Sequence, residues 1–218
     1  MDFALARHNM VEGQIRTNRV TDQAVIDAME SLAREDFVAD ALKPRAYIDE
    51  DLTVAPGRIL MEPMVLARLL QAARVEETDL GLVIAAATGY ETAVLARLAS
   101  AVVAIETNSE LVTGARDVLG THGMETVTVL EGELAKGHPG QGPYDVIFIN
   151  GAVGELPASL TDQLSEGGRL VYVKTAPTVG GGKAMLVTKD NGVLNEVEVF
   201  DANIPPLPEF AAAPKFTF

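Results

Sequence analysis

The 218-residue sequence contains no cysteine. Disulfides, thiolate metal sites and a cysteine nucleophile are therefore excluded. Basic residues are scarce: 17 Lys and Arg against 31 Asp and Glu leave a formal net charge of −14. A surface that acidic repels phosphate backbones, so nucleic acid is not an expected partner. Long hydrophobic runs are missing as well. The opening MDFALARHNMVEGQIR carries a charge every few residues, which fits neither a signal peptide nor a membrane span. No later stretch reaches spanning length, so no membrane association is expected and the cytoplasm is the expected compartment. The three histidines, His8, His122 and His138, are far apart and lack ligand spacing, so no metal is expected. No serine sits in a G-x-S-x-G context. A G-x-G-x-x-G turn is also absent, which argues against a nicotinamide dehydrogenase.

What is present is an ordinary globular composition, 48% hydrophobic and 22% charged. The pattern is organised around LGLVIAAATGY, Leu80 to Tyr90, followed by ETAVLARLAS. Leu80, Leu82, Val83 and Ile84 form a short apolar run that reads as a buried parallel strand entering a tight turn. Ala93, Val94, Leu95 and Leu98 then mark one face of a helix. Strand, small-residue turn and helix form the first half of a βαβ nucleotide-site unit.

Ahead of this unit, Asp2 to about Arg16 reads as a helix with Ala4, Val11 and Ile15 on one side. A second helix, capped by Thr21 or Asp22, carries Ala24, Val25, Ala28, Met29 and Leu32. Pro44, Pro56 and Pro63 punctuate an irregular stretch expected to form loops over a site. Pro63 opens a helix whose apolar face is Val65, Leu66, Leu69 and Leu70.

Behind the unit, SAVVAIE is a second strand ending on Glu106, and Thr107 to Glu110 fits a capping box. Val127–Leu130 and Tyr144–Asn150 are further strands, Pro157 to Leu164 a short helix, and RLVYVK a fifth strand. Asp190-Asn191-Gly192 is a hairpin signal between two final strands, and the tail IPPLPEF is expected to lie extended on the surface. Alternating β and α with an antiparallel finish predicts an α/β fold, a doubly wound, mostly parallel sheet of about seven strands.

In order and spacing these segments resemble the protein-L-isoaspartate O-methyltransferase family over nearly the whole chain. MVEGQIR at Met10–Arg16 is similar to that family's M-V-x-x-Q-[IL]-R, and AYIDEDL at Ala46–Leu52 to its A-Y-x-D-x-x-L. ATGYETAVLARL resembles its G-x-G-Y-x-x-A-V-L-A-x-L. PYDVI and the run from Leu156 to Val171 resemble its fourth and fifth strand regions.

The resemblance implies a Rossmann-like methyltransferase fold in one domain, 1–218. Residues 1–62 would be N-terminal helices and substrate loop, 63–174 the cofactor-binding core, and 175–218 a C-terminal hairpin and tail. It implies S-adenosylmethionine as cofactor, S-adenosylhomocysteine as product, no metal, and a damaged protein or peptide as partner. The reaction would esterify an isoaspartyl carboxylate. That carboxylate is already ionised at neutral pH and the leaving group is a neutral thioether, so no strong base is required. Positioning and water exclusion would carry the catalysis.

Site residues follow by the same resemblance. Glu106 would accept the ribose hydroxyls, and Glu133 with Leu134 would stand where the family's G-D-G faces the adenine. The family's glycine loop, [ED]-x-G-x-G-x-G, falls on Val83, Ala85, Ala87 and Gly89. Glycine permits positive φ and close ligand approach, so the two alanines are expected to weaken the cofactor site. The family's Q-T-I-S-Q-P loop falls on Arg58 to Pro63, which puts Met61 in place of a substrate-orienting serine. A thioether cannot donate a hydrogen bond, and Arg58 becomes a possible contact for the substrate carboxylate. Asn150, at the carboxyl end of its strand, is read either as lining the substrate cleft or as initiating a turn. An alternative from a different class is a methyltransferase-like protein that has lost catalysis or changed its acceptor and serves as a binding or structural module.

Overall fold

A computed structural model describes residues 1–175 and 181–210. Residues 176–180 and 211–218 of the expected C-terminal segment lie outside the described residues. Side chains on a strand alternate between faces, and the central strands show this with apolar residues on both. Along β3 (Leu80–Ile84), Leu82 and Ile84 enter one core cluster while Val83 enters the other. Along β6 (Tyr144–Val153), Ile147 and Ile149 join the first set, and Val146 and Phe148 the second. A sheet apolar on both sides must be covered on both sides.

The sheet has seven strands in the order β5-β4-β3-β6-β7-β8-β9. Here β4 is Ala101–Glu106, β5 Val127–Glu131, β7 Leu164–Lys174, β8 Lys183–Asp190 and β9 Val193–Asp201. Pairing is parallel from β5 through β7 and antiparallel for β7–β8 and β8–β9. The chain runs outward from β3 to β5 and returns to β6 on the other side of β3, which places the topological switch between β3 and β6. On such sheets ligands bind in the crevice beyond the carboxyl ends at that switch.

The predicted helices cover one face. They are α1 (Phe3–Met10), α2 (Gln23–Ser31), α3 (Pro63–Ala73), α4 (Tyr90–Ala96) and α5 (Ser109–Thr121). Asp22 caps α2 and Asn108 caps α5, each side chain accepting two backbone N–H bonds. The opposite face carries the single-turn α6 (Ala158–Thr161), shorter than the expected helix to Leu164.

Several expectations need correction. The first helix gives way after Met10 to a wider turn, Val11–Ile15, and both Ala4 and Ala24 are exposed while Ile26 is buried. The stretch expected as loop contains an antiparallel hairpin, β1 (Leu52–Ala55) and β2 (Arg58–Leu60). The tail lies only partly on the surface: Pro205, Pro206 and Pro208 are exposed, but Ile204 and Leu207 are buried. Leu207 packs into the core beneath the sheet because prolines at 205, 206 and 208 hold the chain extended across its end.

Candidate functional site

The turn after β3 has the geometry that glycine would favour. Ala85, Ala87 and Gly89 have φ of 65°, 49° and 97°, all in the left-handed region. An alanine held there costs about 1 kcal/mol. The turn is braced from within: Ala86 N–H donates to Ile105 O at 3.0 Å and Gly89 N–H to Ala86 O at 2.8 Å. Both alanines are fully buried. A Cβ at Gly89 would stand 3.3 Å from the side chain of Leu119, so α5 presses on the turn from outside.

Glu106 ends β4 with its carboxylate facing this turn, as the strand register predicts, and is completely buried. The Ala87 N–H donates to Glu106 Oε2 at 3.0 Å. Oε1 accepts from the N–H groups of Thr107 (2.7 Å) and Asn108 (3.1 Å). The remaining acceptor positions belong to Arg58, whose Nε and Nη2 reach Oε2 and Oε1 at 2.8 and 2.9 Å. This is a bidentate fork, the strongest ion-pair geometry available to arginine. Arg58 is only 4% exposed, so it is neither a solvated loop arginine nor free to meet a substrate carboxylate. With five N–H donors and the Thr107 hydroxyl, at 3.3 Å, on one carboxylate, no acceptor remains for a pair of ribose hydroxyls.

The tail completes the arrangement. Glu209 accepts from Arg58 Nη2 at 2.6 Å and from Nη1 at 3.2 Å, and Thr107 Oγ1 donates to it at 3.1 Å. Burial pushes Glu209 up, but the bonds from Arg58 outweigh it and hold the carboxyl below its usual range. Burial likewise pulls Arg58 down, and its hydrogen bonds to Glu106 and Glu209 more than offset that. The backbone before Glu209 pairs with the free end of β6: Ala152 N–H donates to Pro205 O at 3.0 Å, and Leu207 N–H to Ala152 O at 2.9 Å. Two glycines make room for it. A Cβ at Gly151 would stand 2.5 Å from Leu207 Cγ, and one at Gly57 would stand 2.7 Å from Pro208 Cγ.

The second loop, Arg58 to Pro63, places Met61 in the core, fully buried. Its backbone works instead of its side chain: Met61 N–H donates to Glu91 Oε1 at 2.8 Å, and Met61 O accepts from Arg34 Nη2 at 2.5 Å. Acidic groups crowd this loop. Burial pushes Glu91 up to about 7, Asp51 up to about 6, and Glu62, with Asp51 nearby, up to about 7. Arg34, fully buried and 4.8 Å from the Tyr90 ring centroid, supplies the compensating charge. The sequence reading missed Glu209, Arg34, Glu91, Glu62 and Asp51. The only available signal was charge inside apolar stretches, as at Glu91 between Tyr90 and Ala93.

Other expected residues are not drawn into this cluster. Glu133 is exposed and paired with Lys136 at 2.6 Å, while Leu134 is buried in the core. Asn150 is buried with Nδ2 3.5 Å from Ile59 O, which ties β6 to the hairpin rather than starting a turn. Beside Thr88 there is a hollow of about 210 Å³, lined by Phe37, Glu110, Leu111 and Ala115 among others. It lies against α5 without reaching Glu106, and it is smaller than the ~300 Å³ at which ligand pockets begin. Among the described residues no group of three or more His, Asp or Glu is placed to hold a metal ion. No described helix is long and apolar enough to cross a membrane.

Similarity to known proteins agrees with the motifs. A curated protein-L-isoaspartate O-methyltransferase of Koribacter versatilis is 35% identical over 205 residues, covering 94% of this chain and 91% of that one. One of Methanoculleus marisnigri is 36% identical over 165 residues, covering 76% and 75%. Among solved structures, a protein-L-isoaspartate O-methyltransferase superposes with TM-score 0.81 at 23% identity, over 92% of this chain and 65% of that longer one. A Plasmodium falciparum protein described as a putative member, solved with S-adenosyl-L-homocysteine, gives 0.79 at 18% identity over 93% and 98%. These two show the shared fold. Residues 6–198 match the family described as protein-L-isoaspartate(D-aspartate) O-methyltransferase, and the chain belongs to that family.

Proposed function

We propose that this protein carries out its family's reaction, methyl transfer from S-adenosylmethionine to the carboxylate of an isoaspartyl residue in damaged protein. Family membership over residues 6–198 carries this reading. In support, Glu106 ends β4 beside a left-handed turn at the carboxyl edge of the sheet, the position from which an acid serves a ribose. The same reading makes a damaged polypeptide the partner and the cytoplasm the compartment.

The residues as they stand do not fit the cofactor. Arg58 and three backbone N–H groups saturate Glu106, and alanine methyls occupy the turn. What the chain supplies on its own is exclusion of water and a fixed carboxylate at the switch crevice. The acidic loop around Met61 disfavours a second carboxylate when ionised, so acceptor binding should improve as Glu62 and Asp51 take up protons near pH 6 to 7.

The test is methyl transfer from radiolabelled S-adenosylmethionine to a synthetic isoaspartyl peptide, with the aspartyl peptide as control. Label in the isoaspartyl peptide alone supports the proposal. Label in neither, from the folded parent and from folded Arg58→Met across pH 5.5 to 8, would refute it and leave the non-catalytic binding module.

A further inference from the structure

We propose that Arg58 is an internal competitor for the cofactor site, latched onto Glu106 by the tail from Ala202 to Phe210, so that adenosine binds only when this strap is released. The inference rests on the proposed methyltransferase reading and concerns control of that same site.

The blocking group is not a stray contact. Every N–H of the Arg58 guanidinium has an acceptor, among Glu106, Glu209, Thr107 Oγ1 and the carbonyl of Gly57. A cation that presents a planar pair of donors to a carboxylate offers what the two ribose hydroxyls of an adenosine would offer, in the same place. The two cannot be present together.

The holding element is built in, and its backbone is tied to the sheet at few points. Leu207 is buried against Gly151, and Pro208 lies over Gly57, at two positions where a Cβ would collide with the strap. Gly57 immediately precedes Arg58, so the glycine that admits the strap also starts the strand that carries the blocking arginine. The backbone of the strap is attached to β6 by one isolated parallel bridge, Ala152 with Pro206, made of the two hydrogen bonds through Ala152, and to Gly182 O by the Ala202 N–H at 3.1 Å. Among the described residues, Glu209 is its one ionic tie, 30% exposed. Its apolar anchors are Ala202, Ile204 and Leu207, so release is a local opening that gives up these three side chains while the sheet stays closed. Release would remove Glu209 from Arg58 and uncover the free end of β6, leaving the guanidinium with one buried partner and an exit to solvent.

A ligand whose competent state is rarely populated binds more weakly by that fraction. The test is calorimetric titration of S-adenosylhomocysteine into the full chain and into the double variant Leu207→Ser/Glu209→Gln. Both substitutions lie in the strap, outside the sheet, so the fold should survive; circular dichroism and a thermal melt check this. Arg58→Met is the second variant. With an open fraction below about one in ten, either variant should bind at least tenfold more tightly than the parent. By reciprocity, saturating ligand should raise hydrogen exchange in residues 204–210 of the parent.

Equal affinity of parent and folded variants, or a complex in which 204–210 stays protected, overturns the latch; if the parent then methylates the isoaspartyl peptide, the methyltransferase reading stands alone. Tighter binding without methyl transfer by any variant keeps the latch and removes the substrate reading. No binding by any folded variant overturns both.

Discussion

The pair at the centre of the site sets a measurable stability. Replacing Glu106 by Gln keeps shape and one acceptor but removes the charge facing Arg58, a side chain 4% exposed whose other anionic partner, Glu209, is 30% exposed. Breaking a buried ion pair from one side costs about 3–5 kcal/mol, because the remaining charge is left buried without compensation. In a domain whose total stability is about 5–15 kcal/mol, that is a large share. For a chain of this size each kcal/mol moves Tm by about 2–4 °C, so a fall of roughly 10 °C is expected. Urea unfolding followed by circular dichroism should show the midpoint lowered with an unchanged slope. The double variant Arg58→Met/Glu106→Gln removes both charges and should recover to within about 2 kcal/mol of the parent, since apolar replacements of buried pairs are often neutral. A Glu106→Gln loss below about 1 kcal/mol, or losses that simply add in the double variant, would refute this account of the pair.

Glu91 gives a pH signature. Burial raises its folded pKa from 4.5 to about 7, so the native state holds the extra proton between those values. The stabilisation is complete below pH 4.5 and is lost as pH rises through 7, at most about 3 kcal/mol. Glu91→Gln should flatten that decline in urea midpoints measured from pH 5 to 8, and an unchanged slope would count against it. At the turn, Ala85→Gly and Ala87→Gly relieve left-handed alanines; the gain is offset by extra freedom in the unfolded chain, leaving about 0.5 kcal/mol each. A thermal melt in which both lose more than about 1 kcal/mol would show that the methyl groups, not the backbone, dominate there. Met61→Ser, which restores the family residue in sequence, places a hydroxyl in the core and should cost about 2–4 kcal/mol. It should bring no gain in isoaspartyl methylation, and an increase would mean that the loop turns its side chain outward in solution.

Much of the architecture was legible residue by residue. The apolar run at Leu82–Ile84, the cap at Asp22 and the Asp190-Asn191-Gly192 hairpin depend on neighbours a few positions away; the cap of α5 falls on Asn108, one residue after the Thr107 that the capping-box pattern marks. The need for positive φ at 85, 87 and 89, which the glycine pattern of the family marks in the sequence, depends on near neighbours too. The position of Glu106 at the end of its strand followed from the same short-range periodicity. What the carboxylate meets there did not. Arg58 lies 48 residues from Glu106, and Glu209 lies 151 residues from Arg58.

A proline-rich tail reads as surface chain because its local pattern has no period. Its burial depends on Gly57 and Gly151 being bare where it crosses. Local sequence determined the sheet, the turn and the acid, because backbone preference and side-chain alternation act over a few residues. Only the tertiary structure decided that a distant arginine fills the site, because that outcome depends on which charges the completed fold brings together out of water.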